Sequence, residues 1–118
     1  MVESAWIDIN GDDKEAVIVG GGALDLTNST DLWKGLSRAS ESAESVVVDL
    51  RQAVFIDTAV LEHLAKAGRT MIGRNKRLKV LTALDQQPLY VLKTVGFSSL
   101  MDIVAEKVDF QDDNYGPG

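Results

Sequence analysis

The stretch FIDTAVLEHL at residues 55–64 changes its hydrophobic period halfway through and thereby decides the fold. Before it, VVVDL at residues 46–50 lacks polar alternation, which predicts a strand buried on both faces, as in a parallel sheet. After it, apolar residues recur at helical spacing as far as Ile72. The junction, Asp57-Thr58, is therefore predicted to be a strand-to-helix turn in which Asp57 caps the helix.

The patterns on either side of this stretch predict further strands and a second helix. Residues 78–81 are predicted to form another strand after the central helix, and a right-handed crossover makes the two strands of this βαβ unit parallel. Residues 6–9 and 16–19 predict two strands joined by a short reversal, and the second is expected to end at the triplet GGG at 20–22. An earlier helix is expected from about residue 30 to residue 40.

The C-terminal third predicts shorter helices and a tail. Asp85 is expected to cap a third helix with a proline in its first turn, and Ser98 or Ser99 to start a short fourth helix. The predicted fold class is α/β (α+β), a mixed sheet of four or five strands with helices packed largely on one face. Residues 1–110 are expected to form this single domain, and 111–118 a polar, flexible C-terminal tail.

The composition argues against several classes of function. The chain of 118 residues has a net charge of -6, which opposes binding to nucleic acid or to an anionic membrane. It has no cysteine, hence no disulfide, thiolate metal site or thiol nucleophile, and no apolar run long enough to span a bilayer. A cytoplasmic protein that binds protein or small-molecule partners, without direct membrane insertion, is expected.

Residues that carry chemistry are few. The one histidine, His63, is predicted on the polar face of the central helix, where a solvated side chain is a simpler interpretation than a metal ligand. Serine-hydrolase and phosphate-loop motifs are absent, and the GGG triplet suits a strand end or a bulge. Six of the 12 basic residues lie between Lys66 and Lys79, which favours a solvated helix end over a site for an acidic partner. No enzymatic activity, cofactor or metal is expected.

Two interpretations of Asp57-Thr58 stay open from the residues alone. The first is capping of the helix by Asp57 and nothing more. The second is a regulatory site, because a phosphate on Thr58 would be attracted by the helix N-terminus and repelled by the neighbouring carboxylate. Such a balance can switch a docking surface.

Three segments carry a family resemblance: GGALDLTNSTDL at 21–32, VVVDLRQAVFIDTAVLEHLAKAGRTMIGRNKRLKVLTA at 46–83, and PLYVLKTVGFSSLMDI at 88–103. In order and spacing they resemble the STAS domain of bacterial anti-sigma factor antagonists, over roughly residues 5 to 105. The resemblance implies a STAS-like sheet with helices on one side and a non-enzymatic, partner-switching role. Such proteins bind an anti-sigma factor that is a serine kinase, and this releases a sigma factor for transcription.

The resemblance also implies the site. After the buried strand the family usually has Asp-Ser-Ser-Gly, and the kinase phosphorylates the second serine to break the complex. Ala59 occupies that position here, while Thr58 matches the first serine and is the remaining candidate for phosphorylation. The loop at residues 22–25 matches the family's Gly-x-Leu-Asp segment, which lies beside the switch. The residues expected to bind the partner are Asp25, Thr27, Asn28, Asp57, Thr58, Ala59, Glu62, His63 and Lys66.

A second resemblance implies a different partner. The small STAS subunit of bacterial phospholipid ABC transporters commonly shows Asp-Thr followed by a small residue, as Asp57, Thr58 and Ala59 do here. That subunit would dock on the ATPase subunit from the cytoplasmic side. A partner-switching regulator and a transporter subunit are therefore both predicted from the sequence.

Overall fold

The computed structural model describes residues 6–12 and 14–108. These residues form one five-stranded sheet in the order β1-β2-β3-β4-β5. The strands are β1 Trp6–Gly11, β2 Glu15–Leu24, β3 Ser45–Ile56, β4 Leu78–Ala83 and β5 Met101–Glu106. The helices are α1 Thr30–Ser42, α2 Thr58–Gly73 and α3 Gln87–Thr94, with a short 3₁₀ helix at Phe97–Ser99. The predicted tail at 111–118 lies outside the described residues.

The pairing of the strands confirms the predicted mixed sheet. β1 is antiparallel to β2, whereas β2 and β3, β3 and β4, and β4 and β5 pair in parallel. Inward-facing side chains of the strands pack with those of α1 and α2, including the fully buried Ile18, Val48, Leu36 and Leu64. The βαβ unit of β3, α2 and β4 thus lies at the centre of the fold. None of the helices in the described part of the chain is long and apolar enough to cross a membrane.

The prediction that β3 is buried on both faces is wrong. Val46, Val48 and Leu50 are buried, but Val47 and Asp49 are only half-buried on the opposite face of the sheet. The cause is that α1 and α2 both cover the same face of the sheet. β-branched residues on the other face favour the strand conformation even though no helix buries them fully. This alternation leaves one face of β3 available to polar side chains.

The glycine triplet does not end β2, which continues to Leu24. The pairing with β3 shifts register between Val19 and Gly21, and again between Gly22 and Ala23. These register shifts mark a bulge, the alternative that the glycine triplet also suits. Gly22 has a φ of 75° there, which a glycine adopts without strain. Because β2 extends to Leu24, the loop that follows it begins farther along β3 than the prediction placed it.

Two predictions for the C-terminal third are also wrong. Asp85 does not cap α3: it lies in a turn with a φ of 67°, and the N-cap residue is Gln86. No fourth α-helix follows Ser98 in the described residues, because the 3₁₀ helix ends at Ser99 and Met101 begins β5. The edge of β4 explains this outcome. Residues from Met101 onwards pair with β4 from Leu78 onwards, which satisfies backbone N–H and C=O groups that a short helix would leave unpaired.

Candidate functional site: the edge around Asp57

The carboxylate of Asp57 links two loops at one edge of the sheet. Its Oδ1 accepts a hydrogen bond from the backbone N–H of Val60 at 3.2 Å, which confirms the predicted helix cap. Its Oδ2 accepts from the backbone N–H of Leu26 at 2.8 Å, across 31 positions of the sequence. One side chain therefore holds the loop between β2 and α1 against the N-terminus of α2.

The loop between β2 and α1 is held by its own polar side chains. Asn28 accepts from the N–H of Asp25 at 2.8 Å and donates to the carbonyl of Ala23 at 3.1 Å. Asp25 in turn accepts from the hydroxyl of Thr27 at 2.6 Å and from its N–H at 2.9 Å. The Thr27 hydroxyl, assisted by the N–H groups of Thr27 and Asn28, lowers the pKa of Asp25 below its ordinary value, which favours the charged carboxylate. The predicted loop residues thus form one ordered turn beside Asp57.

The prediction of a solvated His63 is wrong, because the ring packs between α2 and α1 and is half-buried. Its Nε2 lies 3.2 Å from the hydroxyl of Ser29, and the ring stacks on Trp33 with centroids 5.2 Å apart and planes at 18°. The Nζ of Lys66 lies 5.4 Å from the Trp33 ring centroid, within range of a cation–π contact. Ser29 and Trp33 were not predicted as site residues. Ser29 is the N-cap residue of α1 and Trp33 lies in its first turn, so their spacing of four residues was the available signal.

The pair of Ser29 and His63 has the distance of a nucleophile and its base. The Ser29 residue is only 1% exposed, however, so a substrate cannot approach its hydroxyl in this fold. The two side chains therefore act structurally, because their hydrogen bond joins the start of α1 to α2. Within the described ranges, no group of three or more His, Cys, Asp or Glu could hold a metal ion.

The candidate for phosphorylation is open to solvent. Thr58 is exposed in the first turn of α2, and Glu62, one turn later, is exposed on the same side. Ala59 is half-buried and has no hydroxyl. A modifying enzyme can therefore reach Thr58, and Thr58 and Glu62 present their side chains to solvent together.

The basic cluster that follows is partly structural. Arg74 donates to the carbonyls of Ser40 and Ala43 at 2.8 and 2.9 Å, which joins the end of α2 to the end of α1. Arg77 forms an ion pair of 2.8 Å with Asp102 of β5. These two guanidinium groups bond to other parts of the fold. The interpretation of the basic cluster as a solvated helix end therefore holds for only part of it.

The environment of His63 predicts a loss of stability in mild acid. Burial, followed by the nearby charge of Lys66, lowers the pKa of His63 below its ordinary value of 6.5. As the pH falls through 6.5, the unfolded chain takes up this proton before the folded chain does, so stability decreases until the lowered pKa is passed. Between pH 7.5 and 5.5 the Tm is expected to fall more for the native protein than for His63→Gln, which scanning calorimetry can measure. Equal slopes for the two proteins would contradict the prediction.

Comparisons with known proteins place this geometry in context. Residues 7–104 match the family model described as "Mlab, STAS domain". A solved structure of a candidate anti-sigma factor antagonist from Thermotoga maritima is similar in fold, with a TM-score of 0.67 at 11% identity. The similarity covers 86% of this chain and 87% of that chain. The search of curated proteins found no match.

Proposed function

We propose that this chain, which belongs to the STAS domain family, is a non-enzymatic regulatory domain that docks on a nucleotide-binding protein partner. The observation that carries the proposal is the double hydrogen bonding of Asp57, which joins the loop before α1 and the start of α2 into one surface. We call this surface the docking edge. It consists of Asp25, Thr27, Asn28, Asp57, Thr58, Ala59, Glu62, His63 and Lys66.

The first candidate partner is an anti-sigma factor that is also a serine kinase. The sequence resemblance to anti-sigma factor antagonists supports it. In this function, binding of the docking edge frees a sigma factor, with an interface of about 1,200 to 2,000 Å² in total. Because Ala59 has no hydroxyl, the off-switch would act through Thr58, whose phosphate would add about -1.5 to -2 charges beside Asp57.

The second candidate partner is the ATPase subunit of a phospholipid ABC transporter. The order Asp57, Thr58 and Ala59 favours it, since the small residue after Asp-Thr is a feature of that subunit type. The match to the family described as Mlab also favours it. In this function the docking edge would hold the ATPase subunit from the cytoplasmic side, and Thr58 would act as a contact residue.

Binding of purified partner proteins tests the proposal and separates the two candidates. The chain is immobilised and offered the anti-sigma serine kinases and the ABC ATPase subunits encoded by its own source organism. We expect one of the two classes to be retained. Thr58→Glu is expected to weaken that binding at least about tenfold, since the new carboxylate repels Asp57, whose hydrogen bond to Leu26 holds the docking edge together.

Thr70→Glu is the matched control for the charge change. Thr70 lies on the same helix, about 18 Å from Thr58 along its axis. The control is expected to bind within about twofold of the native protein. Retention of neither class of partner, or equal weakening by the two substitutions, would sink the proposal.

A further inference from the structure

We infer that Leu26 is the main apolar contact of the docking edge and inserts into a partner pocket bordered by lysine or arginine side chains. The inference rests on the proposed function and adds to it a residue and the chemistry of the partner's surface. Leu26 lies between the predicted loop residues Asp25 and Thr27. Its side chain points into solvent although its two neighbours bond to each other.

The exposure of Leu26 is unusual for an aliphatic residue. It is 71% exposed, against 40% for Ile72, 45% for Leu84, 47% for Val95 and 49% for Ile9 elsewhere in the described chain. It is not a member of the hydrophobic core, so its side chain contributes no buried packing that would account for a leucine there. A lone exposed apolar side chain is common on protein surfaces, so what singles out Leu26 is its place beside Asp57 in the proposed docking edge.

The backbone that carries Leu26 is held in place. Its N–H donates to Asp57 at 2.8 Å, and on its far side the N–H of Asn28 donates to the carbonyl of Asp25 at 3.1 Å. Because the backbone of this turn is already ordered, binding costs only the rotamer freedom of the Leu26 side chain and not the ordering of the loop. Leu26 is thus presented rigidly by the same carboxylate that carries the proposed function.

The charges around Leu26 define what its partner must present. Asp25 and Asp57 flank it through the turn and the hydrogen bond, and Glu62 is exposed one turn beyond Thr58. The cation of the docking edge, Lys66, is directed at the ring of Trp33. Charge complementarity therefore requires basic side chains around an apolar pocket on the partner, which speeds association and orients the complex.

The test measures dissociation constants with whichever purified partner, kinase or ATPase subunit, the native protein retains. Leu26→Ala is expected to raise the Kd at least about tenfold, mainly through faster dissociation. Its Tm is expected to stay near that of the native protein, because no core contact is lost. Ile72→Ala removes a less exposed aliphatic side chain, 40% exposed, from the far end of α2 and is expected to change the Kd by less than about twofold.

A charge variant tests the second half of the inference. Glu62→Gln is expected to slow association and to reduce the salt dependence of the association rate, since it removes one carboxylate facing the basic border. The inference is overturned if Leu26→Ala and Ile72→Ala bind alike, or if Glu62→Gln leaves the salt dependence unchanged. If Thr58→Glu still weakens binding in that case, the proposed function survives. If the native protein retains neither class of partner, the proposed function and the inference both fail.

Discussion

Asp57→Ala is expected to lower the free energy of unfolding by about 2 to 3 kcal/mol, as measured by chemical denaturation. The substitution removes the cap of α2, which is worth about 1 kcal/mol. It also removes a charge-assisted hydrogen bond to Leu26, worth about 1.5 kcal/mol because the N–H is exposed. The loop before α1 would then be free to move, so binding of the partner should be lost together with part of the stability.

Asp57→Asn separates the two contributions. Its single acceptor oxygen can cap α2 at Val60, since asparagine is a good N-cap residue. Its amide group then faces the N–H of Leu26, donor against donor, so the loop is released while the helix cap is kept. We expect about half of the stability loss of Asp57→Ala and nearly all of the binding loss. Full binding by Asp57→Asn would show that the link to Leu26 does not shape the docking edge.

Gln87→Ala is expected to cost a similar amount, about 2 to 3 kcal/mol. The Gln87 amide accepts from the N–H of Ile56 at 2.9 Å and donates to the carbonyl of the same residue at 3.0 Å. It thereby pairs with the end of β3 as the backbone of a neighbouring strand would, beyond the point where β4 stops pairing at Leu50. Ile56 is 1% exposed, so alanine at position 87 leaves a buried donor and a buried acceptor without partners.

A pH comparison identifies the amide as the cause. Gln87→Glu keeps an acceptor for the N–H of Ile56 but sets a carboxylate oxygen against its carbonyl, and protonation of that carboxylate restores a donor. Its stability deficit relative to the native protein should therefore shrink between pH 7 and about pH 4.5. Gln86→Ala is the control, because Gln86 makes no side-chain cap bond, and it should change stability by less than about 0.5 kcal/mol. A constant deficit for Gln87→Glu at both pH values would contradict this account.

Local chemistry was sufficient to predict the centre of the fold. The change of period at residues 55–64 predicted where β3 ends and α2 begins, and the cap at Asp57 is where the residue type required it. Both features depend on interactions within a few residues, so spacing alone carries the information. The loop turn is different: Asp25, Thr27 and Asn28 were expected in the site from the family resemblance, and only the structure shows that Asp25 bonds to Thr27 and Asn28.

Long-range pairing decided what spacing did not. Residues 101–106 became β5 because the edge of β4 offered backbone partners, and β2 ran through its glycines because the bulge kept it paired with β3. Asp85 lost the predicted role of a cap because the turn from β4 places it in a left-handed conformation. For β5 and β2, a hydrogen-bond partner distant in sequence outweighed a local preference.

The sequence by itself determined the strand-to-helix junction at residues 55–64 and the helix cap at Asp57, since both depend on residues close together along the chain. Only the tertiary structure decided that Asp57 also binds Leu26, that His63 packs against Ser29 and Trp33, and that Leu26 is left exposed. The physical reason is that these contacts join segments about 30 positions apart, brought together when α1 and α2 cover the same face of the sheet. The docking edge exists only once that packing is complete.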